Sequence, residues 1–184
     1  TLTPTPSPSP TATEISTQTP TPEDPNLLAL KYATGEHLII NNQKRFLPTG
    51  ILFPKINFTD KIVQQPSSNY SWVSQENFTA FAMPEFFDAH GVLAEHCYSN
   101  NGGLGGLILD NLRWEDEVVL FLGDGSYNNY SINQISALEA LSPRDPSGDF
   151  LDPQTGKTYT AKETFFMFYT VKDRLTIQTC SADG

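Results

Sequence analysis

Leu175-Thr176-Ile177-Gln178-Thr179-Cys180 is a short alternating run that carries one of the chain's two cysteines to its end. Apolar Leu175 and Ile177 alternate with polar Thr176 and Gln178, the period-two pattern of a strand with one face toward a core. Thr176, Gln178 and Cys180 then share the other face. A second stretch, Val92-Leu93-Ala94-Glu95-His96, reads the same way, with Val92, Ala94 and His96 on one face. A thiol attacks as its thiolate and needs a basic or positive neighbour. If the two strands lie close, imidazole and thiol meet in one groove. Cys180 is the candidate nucleophile and His96 its candidate partner.

The other cysteine offers a different use, a Cys97–Cys180 disulfide, which suits a secreted chain. Strand alternation sets the two uses against each other. Cys97 follows His96 and points to the opposite face, with Leu93, so a face that brings His96 to Cys180 takes Cys97 away. Two cysteines are too few for a disulfide scaffold. The three histidines, His37, His90 and His96, have no metal-ligand spacing. Asn101-Gly102-Gly103-Leu104-Gly105-Gly106 lacks the lysine and spacing of a phosphate-binding loop. Neither a metal nor a cofactor is expected.

The chain of 184 residues has a formal net charge of -10. That balance argues against nucleic acid or an anionic membrane surface as partner. No apolar run approaches the roughly 20 residues of a membrane span. The sequence opens on Thr1, without a visible signal peptide, and is expected to be a processed chain or an excised piece. Residues 1–25 read as a linker, because eighteen of them are Thr, Pro or Ser. Such a composition favours extended conformations and cannot bury a core, so it serves as a spacer or a plain tail. The domain is expected over residues 26–184.

Within the domain a short helix is expected at Leu27–Ala33 and a strand at His37–Ile40 before the turn Asn41-Asn42. Leu47–Phe58 reads as an edge strand because of Pro48 and Pro54. Its Leu47-Pro48-Thr49-Gly50 looks like a wall-sorting signal but lacks the residue between Pro and Thr. Lys61–Gln64 and Tyr70–Val73 are short strands, and Asn77–His90 an aromatic-rich loop with a helical turn. Asn57, Asn69, Asn77 and Asn129 each open an Asn-x-Ser/Thr sequon. Glu117–Leu122 is a buried strand, Gly123-Asp124-Gly125-Ser126 a hairpin turn, and Tyr127–Ile135 the returning strand. Ser142–Asp149 is a breaker-rich loop. Thr160 and Glu163 form a capping box at the head of a helix through Phe165, Phe166 and Tyr169. Many short strands with a few brief helices point to a mainly β fold, a closed or nearly closed barrel.

Several stretches resemble the sortase family. Leu175–Cys180 is similar to the TLxTC signature that ends on the sortase cysteine, and Gly91–His96 to the strand that ends on its histidine. Asp110–Leu122 resembles the following L…GDxV segment, Gly123–Tyr130 the next hairpin, and Ala140–Pro143 the loop before the signature strand. The resemblance covers roughly residues 47 to 180. It implies a barrel of about eight strands and transpeptidation without a cofactor. Cys180 would attack an LPxTG-like sorting signal and form a thioester, His96 would carry protons, and Thr179 would line the substrate groove. An amine on a cell wall or pilin would then take the acyl group; transfer to water would make the enzyme a hydrolase instead. The Thr/Pro/Ser spacer suits a stalk on the extracellular face of a bacterial cell envelope. The chain departs from the pattern in three places. Glu95 stands where the family has Gly, and Arg113–Glu117 lacks the usual Gly-Asp. The family's arginine on the strand after the cysteine has no counterpart before Gly184, so the last strand is expected to be missing. The competing expectation is a non-catalytic extracellular β-domain with Cys97 and Cys180 bridged or buried.

Overall fold

The computed structural model describes residues 23–66, 79–82, 91–95, 111–145, 147–171 and 173–179. Twelve strands and two α-helices lie among them. The strands, in chain order, are β1 His37–Ile40, β2 Gln43–Phe46, β3 Pro48–Phe53, β4 Phe58–Gln64, β5 Thr79–Phe81, β6 Val92–Glu95, β7 Glu117–Leu122, β8 Tyr127–Ser131, β9 Glu139–Ala140, β10 Phe150–Leu151, β11 Thr158–Tyr159 and β12 Thr176–Thr179. The helices are α1, Pro25–Lys31, and α2, Ala161–Tyr169. Seven strands make the main sheet, in the order β12-β6-β5-β4-β3-β7-β8. β1 and β2 form a separate hairpin, and β9, β10 and β11 a small sheet. The molecule is mainly β.

The sheet is built around β3 and β7, which pair antiparallel with Ile51 opposite Leu120 and Leu52 opposite Val119. Every residue of β3 is buried. Ile51, Phe53, Val118 and Leu120 join one apolar cluster; Leu52, Val119 and Phe121 join another with Leu28, Ala29 and Tyr32 of α1 and its cap. Two buried faces explain why Ile51-Leu52-Phe53 and Val118–Phe121 are continuous apolar runs rather than alternating ones. The edge-strand expectation for this stretch is therefore corrected, because β3 sits between β4 and β7. Its prolines flank the ladder rather than interrupt it. Pro48 is the first residue of the strand, and Pro54 opens the 3-10 turn that follows. Burial of Pro48, Thr49 and Gly50 within this strand also removes them from any role as a sorting peptide.

Local chemistry sets the remaining elements. Asp24 caps α1 by accepting from the Asn26 amide at 2.9 Å, with Pro25 in the first turn. Asn41 and Asn42 both take positive φ in the tight β1–β2 turn. Gly125, at φ 84, closes the β7–β8 hairpin, where the Asp124 carboxylate accepts from the amide and hydroxyl of Ser126. Tyr32 lies so close over Gly50 that a Cβ there would enter its ring.

The stretch expected to be loop and helical turn contributes a strand, β5, parallel to β4 and antiparallel to β6. The Asp60 carboxylate accepts from both the amide and the hydroxyl of Thr79, which fixes β5 on β4. The strand expected at Tyr70–Val73 lies outside the described residues. The capping box on α2 is present as expected: the Thr160 hydroxyl accepts from the Glu163 amide at 3.2 Å, and the Glu163 carboxylate accepts from the Thr160 amide at 2.8 Å.

Candidate functional site at the ends of β6 and β12

β12 pairs with β6 in parallel, Thr176 opposite Val92, Ile177 opposite Leu93, Gln178 opposite Ala94 and Thr179 opposite Glu95. The Thr176 amide extends the ladder to the Gly91 carbonyl at 2.9 Å. Neighbouring strands lie about 4.8 Å apart, and directly opposed residues of a parallel pair stand on the same face. Leu93 is fully buried in the apolar cluster that also holds Ile51 and Phe53, and Leu175 and Ile177 pack against it. The Leu93 and Ile177 positions thus fix the inner face. Gln178, exposed, marks the outer one.

The described pair ends at Glu95 and Thr179, the residues that immediately precede His96 and Cys180 in the sequence. His96, Cys97 and Cys180 lie outside the described residues. Thr179 is the last residue of β12, half-buried, at a position of the same parity as Ile177.

α2 docks on β12 through its carboxyl end. The last carbonyls of a helix have no partner within it. Here Thr170 Oγ1 donates to the Phe166 carbonyl at 3.0 Å, Arg174 Nη1 to that of Met167 at 3.3 Å, and Thr176 Oγ1 to that of Phe168 at 2.7 Å. Arg174 also places a cation at the negative end of the helix dipole. One turn further out, the Tyr169 hydroxyl donates to Gln178 Oε1. Burial pushes the Tyr169 phenol above its ordinary pKa, so it stays a proton donor at neutral pH. The Tyr169–Gln178 pair went unread in the sequence because two residues nine apart meet here only through a tertiary turn.

The other chemistry-bearing residues sit elsewhere. His37 Nδ1 is 2.7 Å from the Gly35 carbonyl on the β1 side. Arg113 Nη1 donates to the Leu112 carbonyl at 2.7 Å, and Arg144 is exposed in the loop after β9. Asp116 accepts from Lys55 Nζ at 2.8 Å and from the Arg113 amide at 2.6 Å. The Lys55 hydrogen bond is the main cause that holds the Asp116 carboxyl below its ordinary pKa. Just before it, Glu115 adopts φ 68, a left-handed conformation that suits glycine. Among the described residues no three His, Cys, Asp or Glu side chains gather as a metal site, and no helix is long and apolar enough to cross a membrane.

No protein-family model matches the chain, and no curated protein sequence matches it. Among solved structures it is similar to sortase C1 from Streptococcus agalactiae, at 16% identity and TM-score 0.40, over 74% of this chain and 60% of that one. It is also similar to sortase A from Corynebacterium diphtheriae, at 14% identity and TM-score 0.36, over 66% of each chain. Neither TM-score reaches 0.5, so the likeness by itself carries no statement about chemistry.

Proposed function

We propose that the chain is a sortase-like cysteine transpeptidase with Cys180 as nucleophile and His96 as proton carrier. The observation that carries this is the register of β6 and β12. The two strands run parallel and in step up to Glu95 and Thr179, the residues that precede His96 and Cys180 in the sequence. In this reading the alternation continues for one more residue, and His96 and Cys180 share the parity of Ala94 and Gln178 rather than that of Leu93 and Ile177, which belong to the apolar cluster. Continued alternation would give Cys97 the opposite parity, which weighs against a Cys97–Cys180 bridge. The sequence motifs around both residues support the same reading.

The chemistry is that of acyl transfer through a thioester. The Cys180 thiolate attacks the carbonyl carbon of the threonine in an LPxTG-like signal. The tetrahedral intermediate collapses, the peptide C–N bond breaks, and the departing amine takes a proton from the His96 imidazolium. An amine from a wall peptide or a pilin lysine, deprotonated by the now neutral His96, attacks the thioester and restores the thiolate. The family resemblance would have Thr179 line the substrate groove, but its parity with Ile177 sets it on the inner face, so it contributes there only as the residue next to Cys180. In this reading the sheet belongs to a closed barrel, and the free edge that β12 has among the described residues is where a strand bearing an oxyanion-stabilising arginine would pair. The Thr/Pro/Ser-rich residues read as a linker over 1–25 serve in this reading as the stalk that holds the domain off the envelope surface, Asp24 and Pro25 being already the cap and first turn of α1.

The decisive experiment is trapping. Incubation with a Leu-Pro-x-Thr-Gly peptide should give a thioester adduct visible by intact mass, absent from Cys180→Ala. A native thiol count that finds Cys97 and Cys180 joined would sink the reading and leave the non-catalytic β-domain.

A further inference from the structure

The β1–β2 hairpin and the main sheet share no ladder, yet side chains of both line a cavity of about 300 Å³. The hairpin is tied down at its base, where the Leu47 amide donates to the Glu36 carbonyl and the Gly123 amide to the Leu47 carbonyl, each at 3.0 Å. Register decides much of what meets in the space between. Arg45 pairs directly with Leu38, and opposed residues of a ladder share a face, so Arg45 stands with Leu38 and Ile40. On the main sheet Leu120 opposes Asn128 and Val118 opposes Tyr130, which puts Leu120, Asn128 and Tyr130 on one face. Both sets line the cavity. Gly91, the residue before β6, lines it too, so it lies toward the start of that strand and not at its Glu95 end.

The lining is mainly apolar, with a few polar groups, and its volume falls at the small end of the roughly 300–1,000 Å³ range of small-molecule sites. Its charge is one-sided. Burial pushes the Tyr130 phenol above its ordinary pKa, against an opposing hydrogen bond from Asn128, so Tyr130 is neutral at neutral pH. Among the described residues of the lining Arg45 is then the one charge, in a chain with 21 acidic and 11 basic residues. Arg45 already has a partner, but a guanidinium carries five donors and can take a further acceptor. We propose that this cavity is a binding site for a small amphiphilic carboxylate, with an aliphatic body between the hairpin and the sheet and its carboxylate held by Arg45. An apolar wall with a single cation selects this class over a neutral or cationic amphiphile of the same length. The proposal is independent of the transpeptidase reading.

The test titrates octanoate, octanol and octylammonium into the full chain, with affinity read by calorimetry and location by backbone amide shifts in NMR. Octanoate should bind about tenfold more tightly than either of the others, with shifts gathered on β1, β2, β7 and β8. Arg45→Gln should weaken octanoate about tenfold and bring it level with octanol, the scale of one lost charge-assisted hydrogen bond. Lys44→Gln removes the same charge one residue away, on the other face of β2 and outside the lining, and should leave the affinity within about twofold. No binding of octanoate at millimolar concentration, equal affinity for octanoate and octanol in the wild type, equal losses in the two variants, or shifts away from the hairpin would each overturn the site. Displacement of octanoate by a synthetic peptide of residues 1–22 would assign the cavity to the chain's own leading segment. Octanoate binding seen only on dilution below a self-association would assign it to a second copy. Either result would overturn the proposal.

Discussion

The β3–β7 pair and the β6–β12 pair are built from different materials. β3 and β7 bury both faces, so almost every side chain between Pro48 and Phe53 and between Val118 and Phe121 contributes to a core. β12 buries one face only, through Ile177, and its other face is polar and partly open. The first pair is held by apolar area; the second is held from outside by side chains that finish the carbonyls of α2. In the proposed reading, stability and chemistry fall in separate parts of one sheet.

That separation can be broken most forcefully at Phe121, which is fully buried and stacks on Tyr32 with ring centroids 5.4 Å apart. Phe121→Ala should cost about 3–5 kcal/mol in urea unfolding. An equal loss from Ile177→Ala would show that β12 is as central to the core as β7. At α2, Thr160→Ala removes the cap and should cost about 1 kcal/mol. The loss should appear first as faster hydrogen exchange in α2, with β3 and β7 protected as before. Uniform loss of protection would mean that the two regions unfold as one.

Smaller effects sharpen the contrast. Glu115→Gly relieves a left-handed backbone and should raise stability by about 0.5 kcal/mol, the relief exceeding the added freedom of the unfolded chain. Acid should act on the periphery. The Glu163 carboxyl is held below its ordinary pKa by the Thr160 amide first and its hydroxyl second. A depressed folded-state pKa contributes stability that is full above the unfolded value and is lost as pH falls through the folded one. The helical signal of α2 should therefore weaken on acidification below the ordinary carboxylate range. Glu163→Gln, which keeps a hydrogen-bonding side chain but not the titration, should flatten that dependence in circular dichroism.

What the sequence shows depends on how local the cause is. The Thr160–Glu163 box, the Asp124-Gly125 turn and the apolar run of β7 were legible, because each is decided within a few residues. The inner and outer faces of β12 were legible from alternation. β3 was misread as an edge because proline marks an edge only when it interrupts a ladder, and Pro48 and Pro54 merely bracket one. β5 was missed because Thr79-Ala80-Phe81 is too short to show a period; Asp60 and two neighbouring strands make it a strand. β9, β10 and β11 are shorter still. The step-for-step pairing of β6 with β12 was invisible for a deeper reason. Register between distant strands is set by the whole sheet, so the sequence named the faces but not their meeting.

The same pairing bears on how the chain folds. β6 and β12 lie far apart in sequence, and a parallel ladder cannot be closed by a hairpin. The entropy of bringing such distant segments together must be met before their contacts repay it. The β3–β4 and β7–β8 hairpins, by contrast, are local. During synthesis, β12 leaves the ribosome after every other strand named here. The ends of β6 and β12 are thus expected to join late in folding, an order that pulse-labelling hydrogen exchange would check. A cysteine at that place would acquire its neighbour, and its reactivity, only once the rest of the sheet is standing.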